Sequence, residues 1–127
     1  MFHSKITFTA LCSVFIFGLS SFSNRTMASS EEKTYTLSIK DHRFTPSEIQ
    51  VEAGESFWLE IKNEDVTTEE FESSSLNLEK IIPPRRTVKI RVKNIKEGAH
   101  DIFGEFHKDS CKGSLLALKK ESTQEME

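Results

Sequence analysis

Cysteine is scarce in this chain, and that scarcity limits how its fold can be stabilised. Two cysteines, Cys12 and Cys111, occur in 127 residues. Cys12 lies in an apolar N-terminal stretch that we interpret as part of a secretory signal peptide, residues 1–28. After removal of that peptide Cys111 is the one remaining thiol, so an internal disulfide is excluded. The domain must then be stabilised by packing alone or with a bound metal ion.

The N-terminal apolar run is too short to cross a membrane. Phe8–Leu19 has about the length of a signal-peptide hydrophobic region, whereas a membrane-spanning helix needs roughly 20 apolar residues. Thr26-Met27-Ala28 is a suitable cleavage site. We therefore predict an exported, periplasmic protein with a mature domain over residues 33–118 and a charged tail over residues 119–127. An uncleaved N-terminal anchor is the alternative interpretation.

The chain also lacks an excess of basic residues. Removing residues 1–28 takes away two cations, Lys5 and Arg25, and no acid, so the formal net charge falls from −3 to −5. An acidic domain without a basic patch is poorly suited to bind nucleic acid. There is no Ser/His/Asp arrangement and no glycine loop that could cradle a phosphate. The sequence therefore predicts a protein that is not an enzyme and has no nucleic-acid partner.

No helical stripe longer than two turns is present, whereas apolar and polar residues alternate with a period of two along much of the chain. The clearest example is residues 86–93, where Val88, Ile90 and Val92 alternate with basic residues. About seven such short strands, separated by turn signals, predict an all-β fold, an antiparallel β-sandwich.

Residues 103–113 concentrate metal-binding chemistry in one loop between two late strands. They include the carboxylates of Glu105 and Asp109, the imidazole of His107 and the thiol of Cys111. Functional residues of a sandwich commonly lie on loops of this kind, and these residue types are metal ligands. The loop is therefore a candidate metal site.

A second candidate segment, residues 69–73, is an acidic strand. Glu70 and Glu72 share one face of it, while Glu69 and Phe71 share the other. Two adjacent carboxylates repel each other unless a cation or protons compensate. A solvated edge strand, whose acids discourage pairing with other sheets, explains the same pattern. The residues alone leave both interpretations open.

The order and spacing of several motifs resemble those of cupredoxin-like domains. The resemblance is to small periplasmic cupredoxin-like proteins and to the EfeO-type domain associated with bacterial iron uptake, and it covers about residues 33–118. It implies a Greek-key β-sandwich. The motifs are Asp41-His42-Arg43-Phe44-Thr45-Pro46, Val51-Glu52-Ala53-Gly54, Asn63-Glu64-Asp65, Glu69-Glu70-Phe71-Glu72-Ser73, Phe103-Gly104-Glu105-Phe106-His107 and Lys112-Gly113.

The resemblance also implies a metal site, from which this chain departs at most positions. Electron-transfer cupredoxins hold copper with two His, a Cys and a weak axial Met. Glu69 or Glu70 stands where the first His is expected, and Gly104 stands where the Cys is expected. His107 matches the second His, and Cys111 lies near the position of the axial Met. Ordinary blue-copper electron transfer is therefore not expected.

We predict a site rich in oxygen donors with at least one imidazole, which suits iron, divalent copper, manganese or zinc better than monovalent copper. Glu105 and His107 share one face if their strand persists. His42 could instead be a turn residue bonded to Asp41 or to backbone, and Cys111 could be a small buried apolar residue. The predicted ligands of a copper or iron ion are Glu70, Glu72, Glu105, His107, His42 and Cys111.

Three functions remain open from the sequence. The leading prediction is an exported protein that binds or delivers iron or copper in association with a metal-uptake system. The second is a metal-free sandwich that docks on a membrane permease or a periplasmic partner. The third is electron transfer through an atypical copper site built from Cys111 and His107.

Overall fold

Nine β-strands and one short 3₁₀ helix build the part of the chain that this computed structural model describes, residues 31–121. The 3₁₀ helix, Glu105–His107, lies between the last two strands. No helix in this part of the chain is both long and apolar enough to cross a membrane. The predicted signal peptide and residues 122–127 of the predicted tail lie outside the described residues. The strands are β1 (Thr34–Lys40), β2 (Arg43–Thr45), β3 (Glu48–Glu52), β4 (Phe57–Asn63), β5 (Glu69–Ser73), β6 (Leu78–Ile82), β7 (Thr87–Val92), β8 (Gly98–Gly104) and β9 (Lys112–Leu118).

The strands form two sheets that enclose the core between them. The first sheet has the order β2-β1-β4-β7 and the second has the order β3-β9-β8-β5-β6. The predicted all-β sandwich is therefore confirmed. Two neighbouring pairs, β1 with β4 and β3 with β9, are parallel, although the sequence predicted antiparallel pairing. The chain leaves the first sheet after β2, adds β3 to the second sheet and returns as β4, and a crossover of this kind allows neighbours to run parallel.

β4 shows how the alternation in the sequence becomes a core. Phe57, Leu59 and Ile61 are fully buried, while Trp58 and Lys62, on the opposite parity, are exposed. Each such buried side chain contributes roughly 1.5–3 kcal/mol of transfer free energy to folding. Other strands of both sheets complete the core with Leu37, Ile39, Phe71, Ile82, Ile102 and Leu115.

The end of β4 is tied to two neighbouring loops through one buried amide side chain. Asn63 is almost fully buried. Its Nδ2 donates to the carbonyl oxygens of Thr67 (2.8 Å), Ile82 (3.1 Å) and Pro83 (3.3 Å). Its Oδ1 accepts a hydrogen bond from the amide of Asp65 (3.0 Å). The loop that follows β4 is therefore held against the loop that follows β6.

Candidate metal centre

Three potential metal ligands converge where the β1–β2 turn, the start of β5 and the 3₁₀ helix meet. They are His42 in the turn, Glu69 at the first position of β5, and His107 at the last position of the 3₁₀ helix. One donor atom from each side chain lies within 4.8 Å of the other two. Residues from three separate segments of the chain thus form a group with two imidazoles and one carboxylate.

Glu69 is the buried member of the group. Its side chain is 2 % exposed, and its Oε2 lies 2.6 Å from Nδ1 of His107. Its Oε1 accepts hydrogen bonds from the amides of Phe106 (2.9 Å) and Glu70 (3.1 Å). A buried carboxylate is costly unless it is paired and hydrogen-bonded, and these contacts compensate it. Glu69 is therefore held in one orientation by the 3₁₀ helix and by its own strand.

The two imidazoles lie against each other. The rings of His42 and His107 stack with their centroids 3.6 Å apart and their planes at 15°. Their side chains are 40 % and 31 % exposed, in contrast to Glu69. The group is therefore open to solvent on the histidine side and closed on the carboxylate side.

A fourth polar residue, Asp65, contacts His42 from the loop after β4. The amides of Asp41 and His42 donate to its Oδ1 (2.8 Å) and Oδ2 (3.0 Å), and Oδ2 lies 3.5 Å from Nδ1 of His42. Burial alone would raise the pKa of Asp65, but the hydrogen bonds from these two amides hold it below its usual value. Sequence reasoning did not assign Asp65 a role, since its partners lie on a distant turn.

Gly104 and Cys111 are packed behind Glu69. A Cβ atom on Gly104 would lie 2.6 Å from the Cys111 Sγ and 2.7 Å from the Glu69 Cδ. The amide of Gly104 donates to the carbonyl of Cys111 (2.8 Å), whose own amide donates to the carbonyl of His107 (2.7 Å). The position where the resemblance placed a cysteine therefore has no room for any side chain, because Cys111 and Glu69 occupy that space.

The thiol of Cys111 is fully buried. Burial raises its pKa to about 12, and the negative charge of Glu69 adds to the effect. In the metal-free protein the thiol is therefore protonated at neutral pH and is a weak nucleophile. Cys111 also lies outside the group of three converging donors. Its surroundings match those of a small buried apolar residue.

The structure brings together two of the six predicted ligands, His42 and His107. Glu70 and Glu72 lie on the face of β5 opposite to Glu69, as their parity predicted. The strand turns Glu69 and Phe71 into the sandwich. Phe71 is an apolar residue on the same parity as Glu69, and it was the signal in the sequence that this face is the buried one.

The remaining predicted acids form a separate cluster, with Glu70 and Glu72 on the outer face of β5 and Glu105 at the start of the 3₁₀ helix. A hydrogen bond to Glu79 is the main reason that the pKa of Glu70 is raised, and a hydrogen bond to Glu105 does the same for Glu72. The pKa of Glu105 is lowered by that shared hydrogen bond and by Lys108, whose Nζ lies 2.7 Å from Glu105 Oε2. None of these acids belongs to the group around Glu69, and their role as ligands stays a prediction.

Comparison with known proteins places this sequence in a family. The family model for the cupredoxin-like domain matches residues 9–117. An uncharacterized protein of Rickettsia prowazekii (strain Madrid E) is 40 % identical over 80 residues, which are 63 % of this chain and 64 % of the relative. The match thus spans less than two thirds of that relative's length.

Solved structures share the fold at low sequence identity. Auracyanin A, a "blue" copper protein from Chloroflexus aurantiacus, has a TM-score of 0.60 and 14 % identity, covering 69 % of this chain and 100 % of auracyanin. The metal-binding domain of the Streptococcus pneumoniae Cu(I)-exporting P-type ATPase CopA has a TM-score of 0.61 and 16 % identity, covering 67 % and 84 %. A chain of a heme-copper terminal oxidase dimer has a TM-score of 0.57 and 15 % identity, covering 83 % and 78 %. These likenesses show the fold, and the match of the family model over most of the sequence shows that this chain belongs to the cupredoxin-like domain family.

Proposed function

We propose that this protein binds one transition-metal ion through His42, Glu69 and His107, and that it does so as an exported carrier and not as an enzyme. The observation that carries the proposal is the convergence of two imidazoles and one buried carboxylate from three separate segments of the chain. Outside functional sites a buried carboxylate is rare unless it is paired. Here its side-chain partner is a histidine that is itself stacked on a second histidine.

The chemistry of the donors suits a limited set of ions. Two imidazole nitrogens and one carboxylate oxygen are the ligand set of non-haem ferrous sites, and they also suit divalent copper and zinc. Monovalent copper prefers thiolate and thioether ligands, and the thiol of Cys111 lies outside the group of three converging donors. Three protein donors leave coordination positions open for solvent or for a further donor. Among these ions, iron and divalent copper are the proposed cargo, because the resemblance is to domains associated with iron uptake and to copper-binding cupredoxins.

Metal binding competes with the hydrogen bond between Glu69 and His107. Two donors on one ion at about 2.0–2.2 Å lie roughly 3.3 Å apart in tetrahedral geometry. Oε2 of Glu69 and Nδ1 of His107 lie 2.6 Å apart, which is a hydrogen-bonding distance. An ion held by these two atoms replaces that hydrogen bond and separates them by several tenths of an ångström. Binding is therefore expected to weaken as the pH falls.

The cellular part of the proposal rests on the N-terminal sequence and on the resemblance. Residues 1–28 have the features of a signal peptide, which supports a periplasmic location. The resemblance to iron-uptake-associated cupredoxin-like domains supports a role in delivering iron or copper to an uptake system, with a membrane permease or periplasmic protein as the receiver.

A second candidate function is a docking module that needs no metal. Val66, which directly follows Asp65 in the chain, is 73 % exposed. Phe106, which directly precedes His107, is 51 % exposed. Exposed apolar side chains that form one contiguous patch mark protein-interaction surfaces. In this case the metal-ligand residues would serve only to join the loops, and the ion would not change the stability of the fold.

Calorimetric titration with ferrous, ferric and cupric ions tests the metal-binding proposal. We compare wild-type protein with Glu69→Gln, which keeps the size of the side chain and removes its charge. The matched control is Glu70→Gln, the adjacent acid on the outer face. Wild type and the control should bind one equivalent, and Glu69→Gln should bind at least about tenfold more weakly. Equal affinities of wild type and Glu69→Gln for all three ions would overturn the proposal.

A further inference from the structure

The turn that carries His42 has an unusual backbone for its sequence. Asp41 and His42 both have positive φ angles, 51° and 55°. Two-residue turns of this type favour Asn-Gly or Asp-Gly, because glycine adopts positive φ without a steric penalty. A histidine at the second position adopts it at a cost. Contacts from outside the turn must therefore stabilise the conformation that places His42 on His107.

Asp65 makes those contacts. Each of its carboxylate oxygens accepts one of the two turn amides, from Asp41 at 2.8 Å and from His42 at 3.0 Å. The oxygen that binds the His42 amide also lies 3.5 Å from Nδ1 of the His42 ring. One side chain thus contacts both the backbone that sets the position of His42 and the ring nitrogen that sets its orientation.

The backbone of Asp65 is itself held by hydrogen bonds to the end of β4 and to the loop that follows β6. Its amide donates to Oδ1 of the buried Asn63 (3.0 Å), and its carbonyl accepts from the amide of Arg85 (3.1 Å). The next residue back, Glu64, donates its amide to the carbonyl of Ile39 in β1 (2.8 Å). Hydrogen bonds through Asp65 therefore connect the buried end of the central strand with the backbone of the turn that carries His42.

We infer that Asp65 is a positioning residue that holds His42 against His107 and thereby preorganises the three-donor centre. The part of this inference that concerns metal affinity rests on the proposed function. Because Nδ1 of His42 is turned toward Asp65, Nε2 is the ring nitrogen left for coordination. Carboxylates that orient a ligand histidine in this way are frequent in metal sites, and their loss lowers metal affinity about 10–100-fold.

A double-mutant cycle tests the inference. Cupric-ion affinity is measured calorimetrically for Asp65→Ala, for His42→Ala and for the double variant. Glu64→Ala is the matched control, since it removes a neighbouring carboxylate that pairs with Lys62. We expect Asp65→Ala to weaken binding about 10–100-fold, the control to leave it unchanged, and Asp65→Ala to cause no further loss once His42 is absent. Additive losses would overturn the inference, because Asp65 would then act on the fold and not through His42.

A measurement without metal separates this inference from the proposed function. In the metal-free protein, nuclear Overhauser contacts between the rings of His42 and His107 should be present in wild type and in the Glu64→Ala control. They should be lost in Asp65→Ala. If wild type binds no ion but Asp65→Ala loses the ring contact, the proposed function fails and the positioning role stands. If folded Asp65→Ala keeps the contact, the positioning role fails whether or not metal binds.

Asp65→Asn provides the same test should Asp65→Ala not fold. It keeps one acceptor oxygen and places an amide donor opposite a backbone amide, so one of the two turn hydrogen bonds is lost. Partial loss of the ring contact and a smaller loss of cupric affinity than in Asp65→Ala are expected. An unchanged ring contact together with unchanged affinity would overturn the inference.

Discussion

The imidazole rings of His42 and His107 stack face to face with their centroids 3.6 Å apart. His42 belongs to the β1–β2 turn of the first sheet, and His107 lies between β8 and β9 of the second. The stack therefore joins the two layers of the sandwich at one end. An ion bound there would link both sheets, and its effect on stability should be measurable.

Metal should raise the melting temperature of the protein. A ligand that binds only the folded state at 100 times its dissociation constant stabilises it by about 2.7 kcal/mol. For a domain of this size that corresponds to a rise of roughly 10–20 °C. Calorimetry with and without cupric or ferrous ion measures the shift, and the His42→Ala/His107→Ala variant should show none. Equal melting temperatures of wild type with and without ion would favour the metal-free docking module.

Gly104→Ala should destabilise the fold. The backbone of Gly104, at φ −90° and ψ 107°, suits any residue, so the cost is steric. The new methyl group would lie within 2.7 Å of the Cys111 Sγ and the Glu69 Cδ. Overpacking of this kind costs about 1–3 kcal/mol in the free energy of unfolding, which urea denaturation measures. Metal affinity should fall as well, because Glu69 must move.

Cys111→Ala serves as a control for Gly104→Ala, because it removes the sulfur atom that the new methyl group would meet. The Gly104→Ala/Cys111→Ala double variant should be more stable than the sum of the two single effects predicts. Additive effects of the two substitutions on the free energy of unfolding would show that the methyl group at position 104 and the Cys111 sulfur do not compete for the same volume.

The alkaline stability of the protein should depend on Cys111. Its pKa in the folded state is raised from 9.0 to about 12 by burial and by the charge of Glu69. Between these values the unfolded chain loses the thiol proton and the folded chain keeps it. The stabilising contribution is therefore complete below about pH 9 and is lost as the pH rises toward 12.

Urea denaturation of wild type and Cys111→Ala across this pH range measures the effect. The difference in unfolding free energy between the two proteins should change with pH only above about pH 9. Iodoacetamide should react slowly with the folded wild-type protein and rapidly after unfolding. A pH-independent difference together with rapid labelling of the folded protein would contradict a buried, protonated thiol.

Copper-loaded protein should lack the intense visible band of a thiolate-to-copper bond. The converging donors are two imidazoles and a carboxylate, and the thiol of Cys111 is outside the group. The absorption spectrum of the cupric complex checks this, with Cys111→Ala as the control that should give the same spectrum. An intense band that disappears in Cys111→Ala would make Cys111 a ligand and favour electron transfer.

Much of the fold follows from local patterns. In β4, the alternation of Phe57, Leu59 and Ile61 with polar neighbours requires a strand with one buried face. The same parity argument separates Glu69 and Phe71 from Glu70 and Glu72 in β5. What remained open was which of these two faces turns inward, because the preference of Phe71 for the core competed with the expectation that paired acids hold a metal ion.

The sequence by itself determined that this chain is an all-β sandwich, and it identified two histidines of the candidate centre, because side-chain parity and residue chemistry are local properties. Only the tertiary structure decided that Glu69 is their partner, that Asp65 holds His42 in place and that Gly104 must have no side chain. Those facts depend on contacts between segments distant in the chain. Such contacts arise when two sheets pack, and no single strand or turn encodes them.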